Sequence, residues 1–310
     1  MHCSTKVTAK SVQYERFIKS FLTVDVQKVF NVCIISQLFM FNYTTENELI
    51  REDQINLLFM KTFSIIIPAY NEEKRITPVL ESLCTFISYN RLPWEVIVAI
   101  DGNDGTEAIV NSYSETFKFV HARKSTSRSG MGGGIKRGIL ASTGEYLILM
   151  DGDGSADINS IISKVELLNE YEIVNFNRYS DKDNKIPIKR RIASRSFNIM
   201  LQLFFGIHIF DTQCGYKLVK RSTVIPIVKK LTVSNAFFLS ALFVYFKENE
   251  VSVIEVPIKY NHSDGSKFNV VMTSISYMVS IIAFKIRKSK FYDYIPNFIR
   301  ELYYKKLRYL

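Results

Sequence analysis

The chain has 310 residues, 47% of them hydrophobic and 23% charged, with a formal net charge of +10. A chain of this size hides roughly 75% of the surface its unfolded form exposes, which excludes a disordered, collagenous or disulfide-stapled protein. The four cysteines (Cys3, Cys33, Cys84, Cys214) form no CxxC pair and no Cys/His spacing suited to zinc, so they read as reduced thiols.

Residues 1–60 contain no glycine and no proline, and carry six Lys/Arg against six Asp/Glu. Two readings stand: an accessory helical segment, or an extension ahead of a domain that starts at Met60 and is complete from residue 61. From there strands and helices alternate. Phe63–Ile67 predicts a strand ending at Pro68, and Thr77–Tyr89 a helix with Val79, Leu80, Leu83, Phe86 and Ile87 at helical spacing. Glu95–Ile100 predicts a second strand closed by Asp101-Gly102, then Thr106–Ser114 a helix and Phe117–His121 a third strand. A Gly-rich loop precedes a helix over Ile135–Ala141. Tyr146–Met150 predicts a fourth strand, Ile158–Asn169 a helix and Ile173–Phe176 a fifth strand. Continuous apolar strands between helices imply an α/β domain with a mostly parallel sheet covered on both faces. Ligands of such sheets sit beyond the carboxyl ends of the strands, where Pro68-Ala69-Tyr70, Asp101-Gly102 and Asp151-Gly152-Asp153 fall. After residue 185 the pattern changes to a long apolar helical run, Ile192–Ile209, and a strand within Val251–Tyr260. Aromatic, basic helices follow from Lys267 onward.

Ten of the 13 glycines lie between Gly102 and Gly154. Glycine serves where backbone turns sharply or comes close to a ligand, so this block predicts a site. Asp151 and Asp153 leave a buried strand one residue apart, an arrangement that suits a hard divalent cation shared with substrate phosphates. The structural alternative is a polar turn in which Asp157 caps the next helix. Gly130-Met-Gly132-Gly-Gly-Ile-Lys-Arg-Gly138 opens a helix and fits a flexible loop beside a diphosphate. It is not the dinucleotide fingerprint, which would need Gly or Ala at Ile135. Asp101 at a strand end suits a base or ribose contact, or a turn with Gly102. Arg178, Lys189, Arg190, Arg191 and Arg195 precede the apolar run Phe197–Phe210. Cations heading an apolar helix suit a lipid phosphate, and a buried core helix with a solvated start is the alternative. The four histidines have no patterned Ser or Cys partner. Residues 285–310 carry eight Lys/Arg against Asp293 and Glu301, which suits an anionic membrane surface; nothing resembles a nucleic-acid recognition module. Val29–Tyr43 and Phe268–Phe284 are too short or too diluted by polar residues to read as spans.

As an ordered set, Pro68-Ala-Tyr-Asn-Glu72, Asp101-Gly-Asn-Asp-Gly-Thr106, the 130–138 segment and Asp151-Gly-Asp153 resemble the family 2 inverting glycosyltransferases of GT-A fold. Asn177-Arg178-Tyr179, Asp211-Thr-Gln-Cys-Gly-Tyr-Lys-Leu218 and Glu255-Val-Pro257…Gly265-Ser-Lys267 resemble the polyprenyl-phosphate sugar transferases. Among these the dolichyl-phosphate β-glucosyltransferases are most similar in motif. The resemblance implies a GT-A domain over residues 61–265 and a membrane-interface tail over 266–310. It implies nucleotide-sugar contacts at Pro68, Tyr70, Glu72, Asp101, Gly130, Gly132 and Asp151, and Mg²⁺ or Mn²⁺ held by Asp151 and Asp153. Arg178, Arg191, Arg195 and Lys267 would hold the acceptor phosphate, with Asp151, Asp153 and Arg178 catalytic. The expected reaction moves glucose or mannose from a UDP- or GDP-sugar to dolichyl or polyprenyl phosphate, on the cytoplasmic face of a membrane. Another lipid or glycan acceptor, or a silent nucleotide-sugar-binding member, is the alternative. Leu239 and Ala241 stand where the relatives are expected to carry acids.

Overall fold

The computed structural model describes residues 58–261, 270–290 and 292–298. The reading of residues 1–60 therefore falls, up to residue 57, outside the described residues, as do Lys267 and residues 299–310 of the tail.

Seven strands form one sheet: β1 Phe63–Ala69, β2 Glu95–Ile100, β3 Val120–Lys124, β4 Tyr146–Leu149, β5 Ile173–Asn177, β6 Lys217–Lys220 and β7 Val253–Pro257, in the order β3-β2-β1-β4-β6-β5-β7. β1 pairs in parallel with β2 and β4, β2 with β3, and β5 with β7. β6 is antiparallel to both β4 and β5 and joins the two parallel halves. The expected mostly parallel α/β sheet is what forms. Ile65, Ile66 and Ile67 of β1 and Leu147 and Ile148 of β4 are fully buried, the mark of a strand covered on both faces.

Helix α1 (Ile76–Tyr89) buries Ile76, Val79, Leu80, Leu83, Cys84 and Ile87 along one stripe. Helix α2 spans Thr106–Thr116. β3 begins at Val120 rather than Phe117 because Phe117 belongs to an aromatic clamp, 6.2 Å from Tyr113 and 5.6 Å from Phe119 between ring centroids. The expected Gly-rich loop is instead helix α3, Gly130–Ala141. Close packing explains two of its glycines. A Cβ on Gly132 would collide with Phe238 and the Asn235 carbonyl, and one on Gly138 with Ile66. Helix propensity is given up there so that the backbone can approach its neighbours.

Helix α4 is short (Ile158–Ile162) and is followed by a 3₁₀ turn at Val165–Asn169, so the single helix expected over Ile158–Asn169 is broken. Asp157 stands at the start of α4 without a side-chain capping bond. Helix α5 (Ile188–Phe205) begins earlier than the apolar run suggested and ends at Gly206, whose φ of +64° suits glycine. The Lys247 ammonium donates to the Phe205 and Gly206 carbonyls at that end. Helices α6 (Arg221–Lys230) and α7 (Phe238–Glu248) follow β6, and α8 (Val270–Arg287) follows β7. α7 is buried nearly all round: Phe238, Leu239, Ala241, Leu242, Phe243 and Phe246 join the core with Leu147, Leu149 and Val219. Each such side chain contributes about 1.5–3 kcal/mol of burial. Cys84 and Cys214 are free and buried. No described helix is long and apolar enough to cross a membrane.

Candidate active site

The carboxyl ends of β1, β2 and β4 lie side by side, and each carries one of the expected motifs. At the end of β1, Tyr70 is half exposed and the Arg128 guanidinium lies 5.0 Å from its ring centroid. Asn71 turns the chain with a φ of +55°, and Gly102 packs so closely on it that a Cβ would strike the Asn71 carboxamide. Glu72 takes a bidentate pair from Arg75, both bonds at 2.7 Å. Burial raises the Glu72 pKa; Arg75 opposes this, and Asp153 and Asp151 add to it. Glu72 thus lies within electrostatic reach of the Asp pair while its oxygens are held by Arg75.

Asp101, at the end of β2, is committed to the start of α3. Its carboxylate accepts from the Ser129 N–H at 2.8 Å, the Ser129 hydroxyl at 2.9 Å and the Gly130 N–H at 2.7 Å. A carboxylate at a helix N-terminus is favoured by the unsatisfied N–H groups and the dipole. Arg137 of α3 closes the arrangement by donating to the Ser129 hydroxyl and the Ile100 carbonyl. This role, at the start of α3, differs from the expected turn with Gly102. Gly130, with a φ of +74°, sits where a Cβ would meet the Ser234 carbonyl.

Beyond β4, Asp153 accepts from the Ser155 N–H at 3.0 Å across the Gly154 turn. Asp151 packs on bare backbone: a Cβ on Gly215 would overlap its whole carboxylate. Burial, and then the Asp153 charge, push the Asp151 pKa up to about 6; Arg178, Lys217 and Arg190 pull against that rise. Gly215→Ala is expected to expel the carboxylate from its seat. Displacements of about 1 Å at a reacting centre cost about 100-fold in rate. Steady-state kinetics should show that loss in kcat/KM, while the melting temperature moves only slightly.

Opposite Asp151 lies a buried network that the sequence reading saw only in part. Arg178, 7% exposed, pairs with the fully buried Asp211 through Nε (2.9 Å) and Nη2 (2.8 Å), and its N–H bonds the same carboxylate. Burial alone would lower the Arg178 pKa; the Asp211 carboxylate reverses this and raises it. The pair leaves Nη1 outside it. Glu255 of β7 accepts from the Asp211 N–H at 2.8 Å and from Asn175 Nδ2 at 3.0 Å. Asn175 Oδ1 in turn accepts from Lys217 at 2.9 Å. Lys217 is fully buried and also donates to the Cys214 carbonyl. Burial lowers its pKa, and the nearby Cys214 and Asp211 oppose that. Lys217 is the buried cation that the sequence reading did not single out. It stands inside the Asp211–Leu218 motif, and its burial depends on β6 being an interior strand, which four residues with a lysine at each end do not announce. Lys217→Met should cost about 2 kcal/mol in urea unfolding, since it leaves Asn175 and two carbonyls without their donor but removes a costly buried charge.

Helix α5 also brings the Arg190 charge to act on Asp151. Arg190 registers at Asp151 among its strongest influences. Arg190 and Arg191 are half-buried and Arg195 is exposed. On α7 the side chains of Leu239 and Ala241 lie in the apolar core, fully buried. Ser240 is the polar group of α7 that meets the site loop, bonding Thr212 at 2.9 Å and Gln213.

The donor set at Asp151 and Asp153 fits a hard divalent cation. Two carboxylates of like charge, one of them partly buried, gain from a cation between them. Among the described residues no cluster of three or more His, Cys, Asp or Glu could hold a metal. The protein would therefore supply two carboxylates and leave the other positions to phosphate and water, which is how Mg²⁺ is often held.

Comparison with known proteins agrees with this geometry. The family described as Glycosyl transferase family 2 matches residues 64–226. A dolichyl-phosphate beta-glucosyltransferase of Dictyostelium discoideum is 32% identical over 243 residues, covering 72% of this chain and 74% of that protein. The protein of that name from Homo sapiens is 28% identical over 237 residues, covering 67% and 69%. Among solved structures, glucosyl-3-phosphoglycerate synthase from Mycobacterium tuberculosis, bound to Mn²⁺, UDP-glucose and glycerol 3-phosphate, superposes with a TM-score of 0.55. It is 14% identical and covers 76% of this chain and 86% of that one, a likeness of fold. With its motifs on three adjoining strand ends, the chain belongs to glycosyl transferase family 2 and is a glycosyltransferase of GT-A fold.

Proposed function

We propose that this enzyme transfers glucose from UDP-glucose to dolichyl or a similar polyprenyl phosphate at a membrane surface, with inversion at the anomeric carbon. One observation carries the reading. Asp151 and Asp153 follow β4 at the carboxyl edge of the sheet, Asp151 seated on Gly215, and the charges of Arg178, Lys217 and Arg190 act on Asp151. That polarity suits a donor diphosphate bridged by a cation on one side and an anionic acceptor on the other. The curated relatives named as dolichyl-phosphate beta-glucosyltransferases support the lipid phosphate and the glucose. The UDP-glucose and Mn²⁺ of the solved structure support the donor and the metal.

The chemistry asks little of a general base. A phosphate monoester is already ionised near neutral pH, so its oxygen needs placement beside the anomeric carbon rather than deprotonation. The new bond joins that oxygen to the sugar carbon. The bond from carbon to the UDP oxygen breaks, and its electron pair leaves with UDP. Arg178, oriented by Asp211, would hold the acceptor phosphate, and Arg190 would add a second positive charge. Asp101 would keep α3 in register beside the nucleotide, and Tyr70 with Arg128 would form the outer wall. A bound Mg²⁺ or Mn²⁺ offsets the charge that grows on the diphosphate.

The test is release of UDP from UDP-glucose, measured with and without polyprenyl phosphate in detergent or vesicles. Release should require both the acceptor and a divalent cation, and should stop with excess chelator. Release independent of the acceptor would make the lipid phosphate wrong. A second measurement probes the metal seat. The folded-state pKa of Asp151 is raised, so the ionised carboxylate costs stability: the metal-free protein gains stability as pH falls through about 6. Cation binding must displace that proton. Proton release on adding Mn²⁺ to the protein with UDP in weak buffer, beyond that from Mn²⁺ and UDP alone, should therefore rise as pH falls toward about 6, and this excess should vanish in Asp151→Asn.

A further inference from the structure

Asp211 is one of three groups that hold Arg178. Its carboxylate takes Nε and Nη2. The other two are aromatic rings: the centroid of Tyr179 lies 5.7 Å from Arg178 Cζ and that of Tyr260 5.5 Å. Tyr179 is the next residue along the chain and is half-buried. Tyr260 follows β7 and is 6% exposed. A guanidinium within about 6 Å of a ring centroid is attracted by the negative face of the ring, and more so out of water. Arg178, itself buried, meets that condition. A neutral ring also holds a cation without cancelling its charge. Asp211 already neutralises Arg178, and a second carboxylate in place of the ring would repel an arriving phosphate.

The backbone at Tyr260 is tied to both sides of the site. Its N–H donates to Asn184 Oδ1 at 2.7 Å, and Asn184 Nδ2 donates to the Arg178 and Ile258 carbonyls, each at 2.8 Å. Asn184 is buried, so these bonds are sheltered from water. The next residue, Asn261, donates its N–H to the Ser155 carbonyl at 2.8 Å. Ser155 is the residue whose own N–H bonds the Asp153 carboxylate. The Tyr260 ring meets the Tyr216 ring edge-on at 6.5 Å, and the Tyr216 hydroxyl accepts from the Ala156 N–H at 3.0 Å. One short segment is thus bonded to the turn of the Asp pair and to the segment that carries Arg178. A side chain locked in this way by packing and hydrogen bonds can hold its neighbour to a set geometry.

We propose that Tyr260 is a positioning residue for the acceptor: its ring face fixes the Arg178 guanidinium, so that the acceptor phosphate is met at a set distance from the Asp151/Asp153 turn. Asp211 anchors the guanidinium by two of its nitrogens, and the ring restrains it while Nη1 engages the phosphate. This rests on the reading of Arg178 as the acceptor's cation and adds the residue that places it.

The test uses the full chain with Tyr260→Phe, and with the mono-, di- and trifluorinated forms of that phenylalanine incorporated at the same position. Fluorine drains the negative ring face with little change in size, so the series varies the attraction for a cation and leaves the packing alone. In Tyr260→Phe the KM for polyprenyl phosphate should stay within about twofold of wild type, since the ring is kept. It should then climb stepwise to about tenfold with three fluorines, and by about tenfold or more in Tyr260→Met, where the ring is gone. The KM for UDP-glucose should stay within about twofold throughout, and the melting temperature should not follow the fluorine number. A flat acceptor KM across the series overturns the proposal. So does a parallel rise in both KM values, or a Tyr260→Phe variant as impaired as the trifluorinated one, because the hydroxyl would then be the acting group. If wild type transfers no sugar to polyprenyl phosphate, the acceptor reading fails by itself. The Arg178 Nε–H resonance then decides whether the ring holds the cation: it should move stepwise with fluorine number, and an unmoved resonance overturns the assignment.

Discussion

Asp153→Asn is expected to lower sugar transfer by about 1000-fold or more while leaving the fold intact. The asparagine carboxamide oxygen can still accept from the Ser155 N–H, the bond that shapes the turn after β4. What is lost is one of two negative charges for a divalent cation, and with it the offset to charge building on the leaving diphosphate. The melting temperature should change little, because the Asp151–Asp153 repulsion that raises the Asp151 pKa is relieved at the same time. The kinetic signature is a fall in kcat that extra Mn²⁺ recovers only in part. Full activity in Asp153→Asn would remove the pair from the catalytic centre.

Asp211→Asn is expected to be the most destabilising single change in the described site, by about 4 kcal/mol in urea unfolding. Both partners of the Arg178–Asp211 pair are out of water, at 7% and 0% exposure. Removing one charge of a buried pair strands the other, which costs about 3–5 kcal/mol. Asp211 also fixes the direction of the Arg178 guanidinium through two bonds. Folded Asp211→Asn protein, stabilised with osmolyte if needed, should show a raised KM for the lipid phosphate and a nearly unchanged KM for the nucleotide-sugar. A rise in both would mean that Arg178 serves the donor instead.

The sheet was legible because its central strands are continuous apolar runs closed by turn residues. Phe63–Ala69, Glu95–Ile100 and Tyr146–Leu149 each end where a motif begins, so strand and site announced each other. Family motifs on those ends made the reaction class readable as well. Three features were hidden for physical reasons. The glycines of 130–138 look like loop by propensity, but the segment is helical, and at Gly132 and Gly138 glycine is needed because Phe238, Asn235 and Ile66 crowd the helix. β6 carries a lysine at each end of only four residues, so nothing in its sequence marks an interior strand. Its first lysine, Lys217, became a buried group bonded to Asn175, a partner 42 residues away. Arg191 and Arg195 share one α5 face by spacing, and the charge of Arg190, off that pairing, also acts on Asp151. Helical spacing says which residues share a face but not which face meets the site. The same limit applied to α7, where Ser240 rather than its neighbours Leu239 and Ala241 turns toward the 211–213 loop.

In the proposed reaction a sugar moves from a nucleotide donor to a lipid phosphate across the space between Asp151/Asp153 and Arg178. Its most direct measurement supplies the protein with a panel of radiolabelled UDP- and GDP-sugars, Mn²⁺ and polyprenyl phosphate, and then extracts the lipid. Label from UDP-glucose should enter an organic-extractable phosphodiester, with chelator abolishing it and mild acid releasing glucose from it. Label absent from the lipid for every donor, with wild-type protein folded and metal present, would contradict the account.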